Sequence, residues 1–206
     1  MINIIQLGSN TGLDHVTDFI KEYRSDISKI LLVEPIPIIA NQLLENYKDD
    51  NVIVHACAIS NKNGTADLTY IPGSNLRLSS LISNVHSDFS VKETSTIAVP
   101  TLTFDSLCAK HNLQQVDVLF IDTEGYDENI IATIDLKKYN IKTLVWEHFH
   151  ALRINPEQHK LIKQQCRDNN MEFEVRGANI IATKQGTIKY NITLRWKDLL
   201  TITNLM

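Results

Sequence analysis

Two acidic residues in the middle of the chain have types and a spacing that could do chemistry. Asp122 and Glu124 follow the nearly continuous apolar run of residues 116–121 and precede Gly125, which permits a sharp turn. Because residues two apart in extended backbone point the same way, both carboxylates are expected on one side of a strand end. Such a pair can stabilise a cation, orient an acceptor hydroxyl or hold a divalent ion; the sequence leaves these roles open, and no metal is predicted. Asp127 is expected to cap the helix that follows.

A glycine-containing turn near the start of the chain is the second candidate site. Residues 6–12 read QLGSNTG and lie where the first predicted strand ends and the first predicted helix begins. In an open α/β sheet this is where a nucleotide-like ligand binds. Gly8 can adopt the positive φ of a sharp turn, and Gly12 lets a helix and a ligand approach the backbone. A plain tight turn is the alternative.

Glu34 is the third candidate, because it ends the second predicted strand 22 residues after Gly12. The apolar residues 30–33 before it and Pro35 after it place this carboxylate at the carboxyl end of a strand. A carboxylate there can accept hydrogen bonds from both hydroxyls of a ribose. The alternative is a solvated surface glutamate.

The glycine spacing discriminates between ligands. Gly8, Asn10 and Gly12 depart from G-x-G-x-x-G, and Asn10 stands where a dinucleotide fold needs glycine for its pyrophosphate. A ligand without phosphates fits better, and S-adenosylmethionine is such a ligand. A nicotinamide-dependent oxidoreductase is therefore the less favoured interpretation.

His148 is the candidate general base. It belongs to the sequence WEHFH of residues 146–150, at the end of the fifth predicted strand. It would lie beside the acidic turn if the fourth and fifth predicted strands are neighbours. An imidazole titrates near neutral pH and can take the proton of an acceptor hydroxyl, although a structural histidine is an equal alternative.

The elements that must position these residues follow from an alternation of short β-branched runs and amphipathic stretches, which is typical of βαβ units. The predicted strands are residues 2–7, 29–33, 51–58, 117–122 and 142–149. The predicted helices are residues 13–24, 37–47 and 155–170, the last two with proline in the first turn. Two short strands within residues 172–183 predict a hairpin.

We therefore predict a single α/β domain over residues 1–206, with a doubly wound, mostly parallel Rossmann-like sheet and an antiparallel C-terminal hairpin at its edge. A β/loop insertion is expected at about residues 65–103. Its serine-rich part, residues 74–90, is either a lid over the binding face or a surface loop.

Composition limits the partners. A formal net charge of −4 gives no long-range attraction to phosphate backbones, so no nucleic acid is expected. No stretch approaches the ~20 apolar residues of a spanning helix, so no membrane partner is expected. Cys57, Cys108 and Cys166 show no metal-ligand spacing, which favours reduced thiols and a cytoplasmic protein. The sequence does not indicate an oligomeric state.

The candidate residues belong to an ordered series of short motifs: GSNTG at 8–12, VEP at 33–35, AIS at 58–60, SSL at 79–81, LTFD at 102–105, IDTEG at 121–125 and EH at 147–148. In this order and spacing the sequence resembles the FkbM family of S-adenosylmethionine-dependent methyltransferases, from Ile4 to about Phe149. The resemblance implies a class I methyltransferase fold and O-methylation of a small molecule, sugar or glycan. A non-catalytic S-adenosylmethionine-binding or partner subunit is the alternative.

The resemblance also implies roles for individual residues, with the glycine turn and Glu34 on the cofactor and the Ala58 region near adenine. Taken together, cofactor contacts are expected from Gly8, Ser9, Asn10, Gly12, Glu34, Pro35, Ala58 and Asp122. Catalytic roles are expected for Asp122, Glu124 and His148. Two positions depart from the family pattern, because Gln6 stands where aspartate is frequent and Phe120 where lysine is frequent.

Overall fold

The computed structural model describes residues 1–47, 52–72, 79–83, 93–148 and 154–192. Its strands are β1 Ile2–Leu7, β2 Ile27–Val33, β3 Val52–His55, β4 Ala58–Ile59, β5 Gly64–Tyr70, β6 Ser79–Ser80, β7 Ser95–Leu102, β8 Val118–Ile121, β9 Thr143–Glu147, β10 Met171–Arg176 and β11 Asn179–Lys184. Its helices are α1 His15–Glu22, α2 Pro37–Asn46, α3 Phe104–Lys110, α4 Asp127–Ile131 and α5 Pro156–Asp168. Within these ranges, no helix combines the length and the apolar character that crossing a membrane requires.

The main sheet confirms the predicted α/β class. Its strand order is β10-β11-β9-β8-β1-β2-β3, and β9, β8, β1, β2 and β3 run parallel. The C-terminal hairpin is present, with β11 antiparallel to both β9 and β10. Since β10 is the edge strand and runs with the parallel strands, β11 alone opposes them in this sheet.

The core lies on both faces of this sheet, as the nearly continuous apolar strands predicted. On one face Ile5 and Leu7 of β1 join a cluster with residues of α3, α4 and α5. On the other face Ile2 and Ile4 pack with Val16 and Phe19 of α1, among others. The alternation of β1 side chains between two cores is the period of two that a strand imposes.

A second, smaller sheet has the strand order β4-β7-β5-β6. Its longest pairing is antiparallel, between β5 and β7, which supply the β structure of the insertion expected at about residues 65–103. The strand predicted at 51–58 is wrong as one element, because β3 pairs with β2 in the main sheet and β4 pairs with β7 in the small one. Of the serine-rich residues 74–90, only 79–83 lie within the described residues.

Helix α3 was not predicted, because its seven residues are too few to show a clear helical period in the sequence. It begins after Thr103, whose hydroxyl accepts a hydrogen bond from the Ser106 amide as an N-cap. The family motif at residues 102–105 is therefore the start of a helix. Its buried residues Phe104, Leu107 and Cys108 face the core.

The sheet has one place where the connections reverse direction. From β1 the chain proceeds to β2 and β3 on one side, whereas β8 and β9 lie on the other side of β1. The loops that leave the carboxyl ends of β1 and β8 therefore diverge and open a crevice, which is where open α/β sheets bind ligands.

Candidate functional site

A cavity of about 560 Å³ occupies this crevice. The described residues that line it are Leu7, Gly8, Ser9, Asn10, Thr11, Leu13, Asp14, Val33, Glu34, Pro35, Cys57, Ala58, Ile59, Leu68, Ser79, Leu81, Asp122, Thr123, Glu124 and Tyr126. They come from the loops after β1, β2 and β8, from the segment around β4, and from the small sheet. The structure thus brings most of the predicted site residues together; Gly12 and His148 are not among these lining residues.

The glycine turn uses its backbone amides internally. The amides of Gly8 and Ser9 donate to the Val33 carbonyl at 2.9 and 3.0 Å, and that of Asn10 donates to Glu34 Oε2 at 2.9 Å. The next two, Thr11 and Gly12, donate to Asn10 Oδ1 at 2.8 Å and to the Ser9 carbonyl at 2.9 Å. Five consecutive N–H groups are therefore satisfied within the protein, whereas a phosphate-binding turn directs its N–H groups at the ligand.

Glu34 fastens the turn to the second strand. Besides Asn10, its carboxylate accepts the Ile36 amide through Oε1 at 3.0 Å, and the residue is only 4% exposed. Burial raises the pKa of Glu34 to about 7, although the two backbone hydrogen bonds act in the opposite direction. Because each carboxylate oxygen has two lone-pair sites, the group can still accept hydrogen bonds from a ligand in the cavity.

Gly8 brings the glycine turn against the acidic turn. Its backbone has φ +80°, and a Cβ built on it would lie 1.8 Å from the Asp122 carbonyl oxygen. No side chain can be accommodated at that distance. The two loops that bear the candidate residues therefore touch through backbone atoms at this point.

Gly12 lets a helix approach the backbone, as expected, and that helix is α2. A Cβ there would lie 2.4 Å from the Tyr47 ring and 2.6 Å from Leu43, so the glycine makes room for α2 and not for the cavity. The Tyr47 hydroxyl also donates to the Gly12 carbonyl at 3.3 Å, and Asn46 Nδ2 donates to the Thr11 carbonyl at 2.8 Å. The end of α2 thus holds the glycine turn from behind.

The acidic turn is built around a buried carboxylate. The helix cap expected of Asp127 is wrong, because the N-cap of α4 is Tyr126 and Asp127 is the first helical residue. Its Oδ2 instead accepts the Thr123 hydroxyl at 3.1 Å and the Gly125 amide at 3.2 Å, which draws the turn together. Glu124 and Gly125 both have positive φ, +53° and +92°, so the turn is too tight for the regular extended geometry assumed from the sequence.

Burial and mutual repulsion raise the pKa values of these carboxyls. Burial, then the charges of Asp122 and Asp127, raise the pKa of Glu124 well above its ordinary value. Burial and then Asp122 raise the pKa of Asp127 to about 8, and its Oδ1 has no hydrogen-bond partner among the described atoms. A positive charge in the cavity beside this turn would favour the ionised forms.

His148 occupies a neighbouring but separate environment. Strands β8 and β9 are adjacent, as its predicted position required, and its Nε2 lies 3.4 Å from the Gly177 carbonyl oxygen. Its ring stacks on His159 with 6.0 Å between centroids, and burial lowers its pKa. Residues 149–153, which follow it, lie outside the described residues, and the general-base role stays a prediction.

Several wall residues were not predicted as site residues, although Ser79 and Leu81 belong to the SSL motif of the family resemblance. Leu68, Ser79 and Leu81 reach the cavity from the small sheet, whose placement depends on long-range strand pairing. Asp14 did have a signal, because an aspartate directly before an amphipathic helix predicts an N-cap. It caps α1 by accepting the amides of Val16 and Thr17 while it lines the cavity.

The two departures noted in the sequence lie directly opposite each other. Gln6 of β1 is paired with Phe120 of β8, and they are 1% and 2% exposed. Gln6 Nε2 donates to Asp14 Oδ2 at 2.6 Å, and the Phe120 ring packs on Phe19 with 5.3 Å between centroids. Both buried positions therefore hold neutral side chains, and neither carries a charge that would need a buried partner.

Among the described residues, no group of three or more His, Cys, Asp or Glu side chains is arranged to hold a metal ion.

Comparison with known proteins places these features in a family. Residues 6–175 match the model of the methyltransferase FkbM domain. The crystal structure of a methyltransferase FkbM from Methylobacillus flagellatus KT is similar, with a TM-score of 0.59 and 12% identity, over 88% of this chain and 43% of that one. The chain thus spans less than half the length of that protein, and at this identity the likeness concerns the fold alone.

Two further structures align less closely. They are a ribosomal protein L11 methylase from Lactobacillus delbrueckii subsp. bulgaricus, with TM-score 0.43, 8% identity and coverage of 89% and 71%, and a spermidine synthase in complex with the transition state analogue AdoDATO, with TM-score 0.42, 10% identity and coverage of 96% and 56%. No protein of curated function matches the chain.

The contact between Gly8 and Asp122 predicts the effect of a single methyl group. Gly8→Ala should lower the free energy of unfolding by clearly more than the ~1–2 kcal/mol that left-handed backbone costs an L-residue, because the new Cβ also collides with a carbonyl oxygen. Gly186→Ala is the matched control, with φ +76° and nothing within 4 Å of the new Cβ. Urea denaturation of both variants measures the difference; equal losses would contradict the steric argument.

The raised pKa of Glu34 predicts a pH dependence of the ligand-free protein. A carboxyl whose folded pKa is raised from 4.5 to about 7 contributes stability below pH 4.5 that is lost as the pH rises through 7. Glu34→Gln, which mimics the neutral acid, should remove roughly 3 kcal/mol of the decline in unfolding free energy between about pH 5 and about pH 8. Urea denaturation at both pH values tests this. The same substitution at exposed Glu22 should leave the decline unchanged, and an unchanged decline in Glu34→Gln would refute the assignment.

Proposed function

Because the chain belongs to the methyltransferase FkbM domain family, we propose that it is an S-adenosylmethionine-dependent methyltransferase. We further propose that it methylates a hydroxyl oxygen of a small molecule, sugar or glycan. The family match supports methyl transfer. The hydrogen bonding of the glycine turn and the residues of the cavity wall support this cofactor.

The observation that carries the cofactor proposal is the internal use of the N–H groups from Gly8 to Gly12. A pyrophosphate would need those donors or a cationic side chain. The described residues of the cavity wall include no lysine, arginine or histidine. These features support an adenosyl ligand that brings no phosphate over a nicotinamide dinucleotide.

The chain's own groups suit the parts of such a ligand. Glu34, at the cavity wall and with unused lone pairs, can accept the hydroxyls of a ribose. The nonpolar Pro35, Ala58 and Ile59 offer a surface for a flat purine. At the other side, Asp122 and Glu124 present carboxyl groups that favour a cation.

When bound, S-adenosylmethionine supplies an electrophilic methyl carbon, whose bond to the sulfonium sulfur breaks as a bond to the acceptor oxygen forms. The acidic turn can stabilise positive charge and hold an acceptor hydroxyl in line. The hydroxyl proton needs a base as the bond forms. Glu124 lies in the described wall, and its raised pKa makes its carboxylate a stronger base than an ordinary glutamate. The positive charge of the sulfonium favours the ionised form, which can take that proton.

Ligand binding tests the cofactor directly. S-adenosylmethionine and S-adenosylhomocysteine should each stabilise the protein in a thermal-shift assay, by ~2.7 kcal/mol at a hundredfold the dissociation constant. Nicotinamide dinucleotide should not. Stabilisation by the dinucleotide alone would overturn the proposal. Formation of S-adenosylhomocysteine with a panel of sugars then separates an enzyme from a module that binds without turnover.

Turnover with an acceptor from that panel should distinguish the two candidate bases. Glu124→Gln should reduce kcat by about 10²- to 10⁴-fold, the usual contribution of a positioned base, because it keeps the shape of the wall but cannot take a proton. His148→Ala should have the smaller effect, since His148 is not among the described wall residues. The reverse order would assign the base to His148.

A further inference from the structure

Tyr126 carries the single aromatic ring among the described residues of the cavity wall. It belongs to the acidic turn, yet its hydroxyl lies 3.5 Å from the hydroxyl of Ser60, just after β4. The carbonyl of His55, at the end of β3, accepts the Glu34 amide at 3.1 Å and the Cys57 amide at 3.2 Å. Tyr126 therefore reaches from the acidic turn to the side of the cavity that contains Glu34 and β4.

The ring is held in a defined position. It is half-buried and packs against the core cluster that includes Cys57 and Ile59, which also line the cavity. Its backbone is the N-cap of α4, and its amide lies 3.4 Å from the Thr123 carbonyl oxygen. The buried Asp127 carboxylate draws in the rest of the turn. A ring fixed before binding loses little freedom when a ligand arrives.

We propose that Tyr126 is the platform against which the purine of the cofactor stacks. The inference rests on the proposed adenosyl cofactor and adds a binding residue to it. A ribose at Glu34 leaves its attached base toward β4, where Tyr126 adds a π-face to the nonpolar surface of Pro35 and Ala58. One turn then serves both ends of the cofactor, with Asp122 and Glu124 toward the methyl group and Tyr126 toward the purine.

Calorimetric titration with adenosine and with S-adenosylhomocysteine tests the proposal, because both contain the purine but adenosine lacks the amino-acid part. Tyr126→Leu keeps an apolar side chain without the π-face, and it should weaken both ligands about tenfold, the usual loss when an aromatic platform is removed. Tyr126→Phe keeps the ring and should bind both within about twofold of the wild type. Ser60→Ala removes the partner of the Tyr126 hydroxyl and should also bind both ligands within about twofold of the wild type.

Each outcome decides a separate point. Wild-type affinity in Tyr126→Leu overturns the platform, and equal losses in Tyr126→Leu and Tyr126→Phe would assign the effect to the hydroxyl and overturn it as well. Failure of the wild type to bind either ligand refutes the proposed cofactor itself. Should Tyr126→Leu not fold, nuclear Overhauser effects between the purine protons of bound adenosine and the Tyr126 ring in the wild-type protein decide: their presence supports the platform and their absence overturns it.

Discussion

The architecture of this site depends on the lack of a side chain at residue 8. The backbone of Gly8 lies so close to the Asp122 carbonyl that a Cβ would be 1.8 Å from its oxygen. This contact holds the loop after β1 against the loop after β8, the two strands between which the connections reverse. The Glu34 carboxylate holds the other side of the same loop through the Asn10 amide. The cavity is the space left between these fastened loops and the small sheet.

The electrostatics of the site are unfavourable in the absence of a ligand. Burial raises the pKa values of Glu34, Glu124 and Asp127, and neighbouring carboxylates raise those of Glu124 and Asp127 further. Glu34 and Glu124 line the cavity, and Asp127 binds the wall residue Thr123. A protein selected for stability alone would not bury these groups together, and perturbed ionisable groups concentrate at functional sites. A ligand that combines hydroxyl donors with a positive charge satisfies both parts of this arrangement, whereas an anionic ligand satisfies neither. The same reasoning explains why the satisfied amides of the glycine turn matter, since they remove the usual attraction for phosphate.

Local signals located most of the elements. β1 has the bounds that its apolar run predicted, and α2 begins at Pro37, where the missing amide proton has no helical partner. α5 begins after Asn155, whose side chain accepts the Gln158 amide. The contacts of single residues were harder to predict from the sequence. Gly12 makes room for Tyr47, a contact that depends on how α2 packs. Asp127 binds the turn before it because α4 begins one residue earlier than expected, with Tyr126 as the N-cap.

The sequence by itself determined the α/β alternation, the glycine turn and the acidic residues at strand ends, because hydrophobic period, capping and backbone freedom are properties of neighbouring residues. Tertiary structure alone decided which loops meet. It divided the segment at 51–58 between two sheets, directed His148 toward Gly177 and brought Tyr126 to Ser60. These outcomes depend on strand pairing and packing between residues far apart in the chain, for which no local pattern carries a signal.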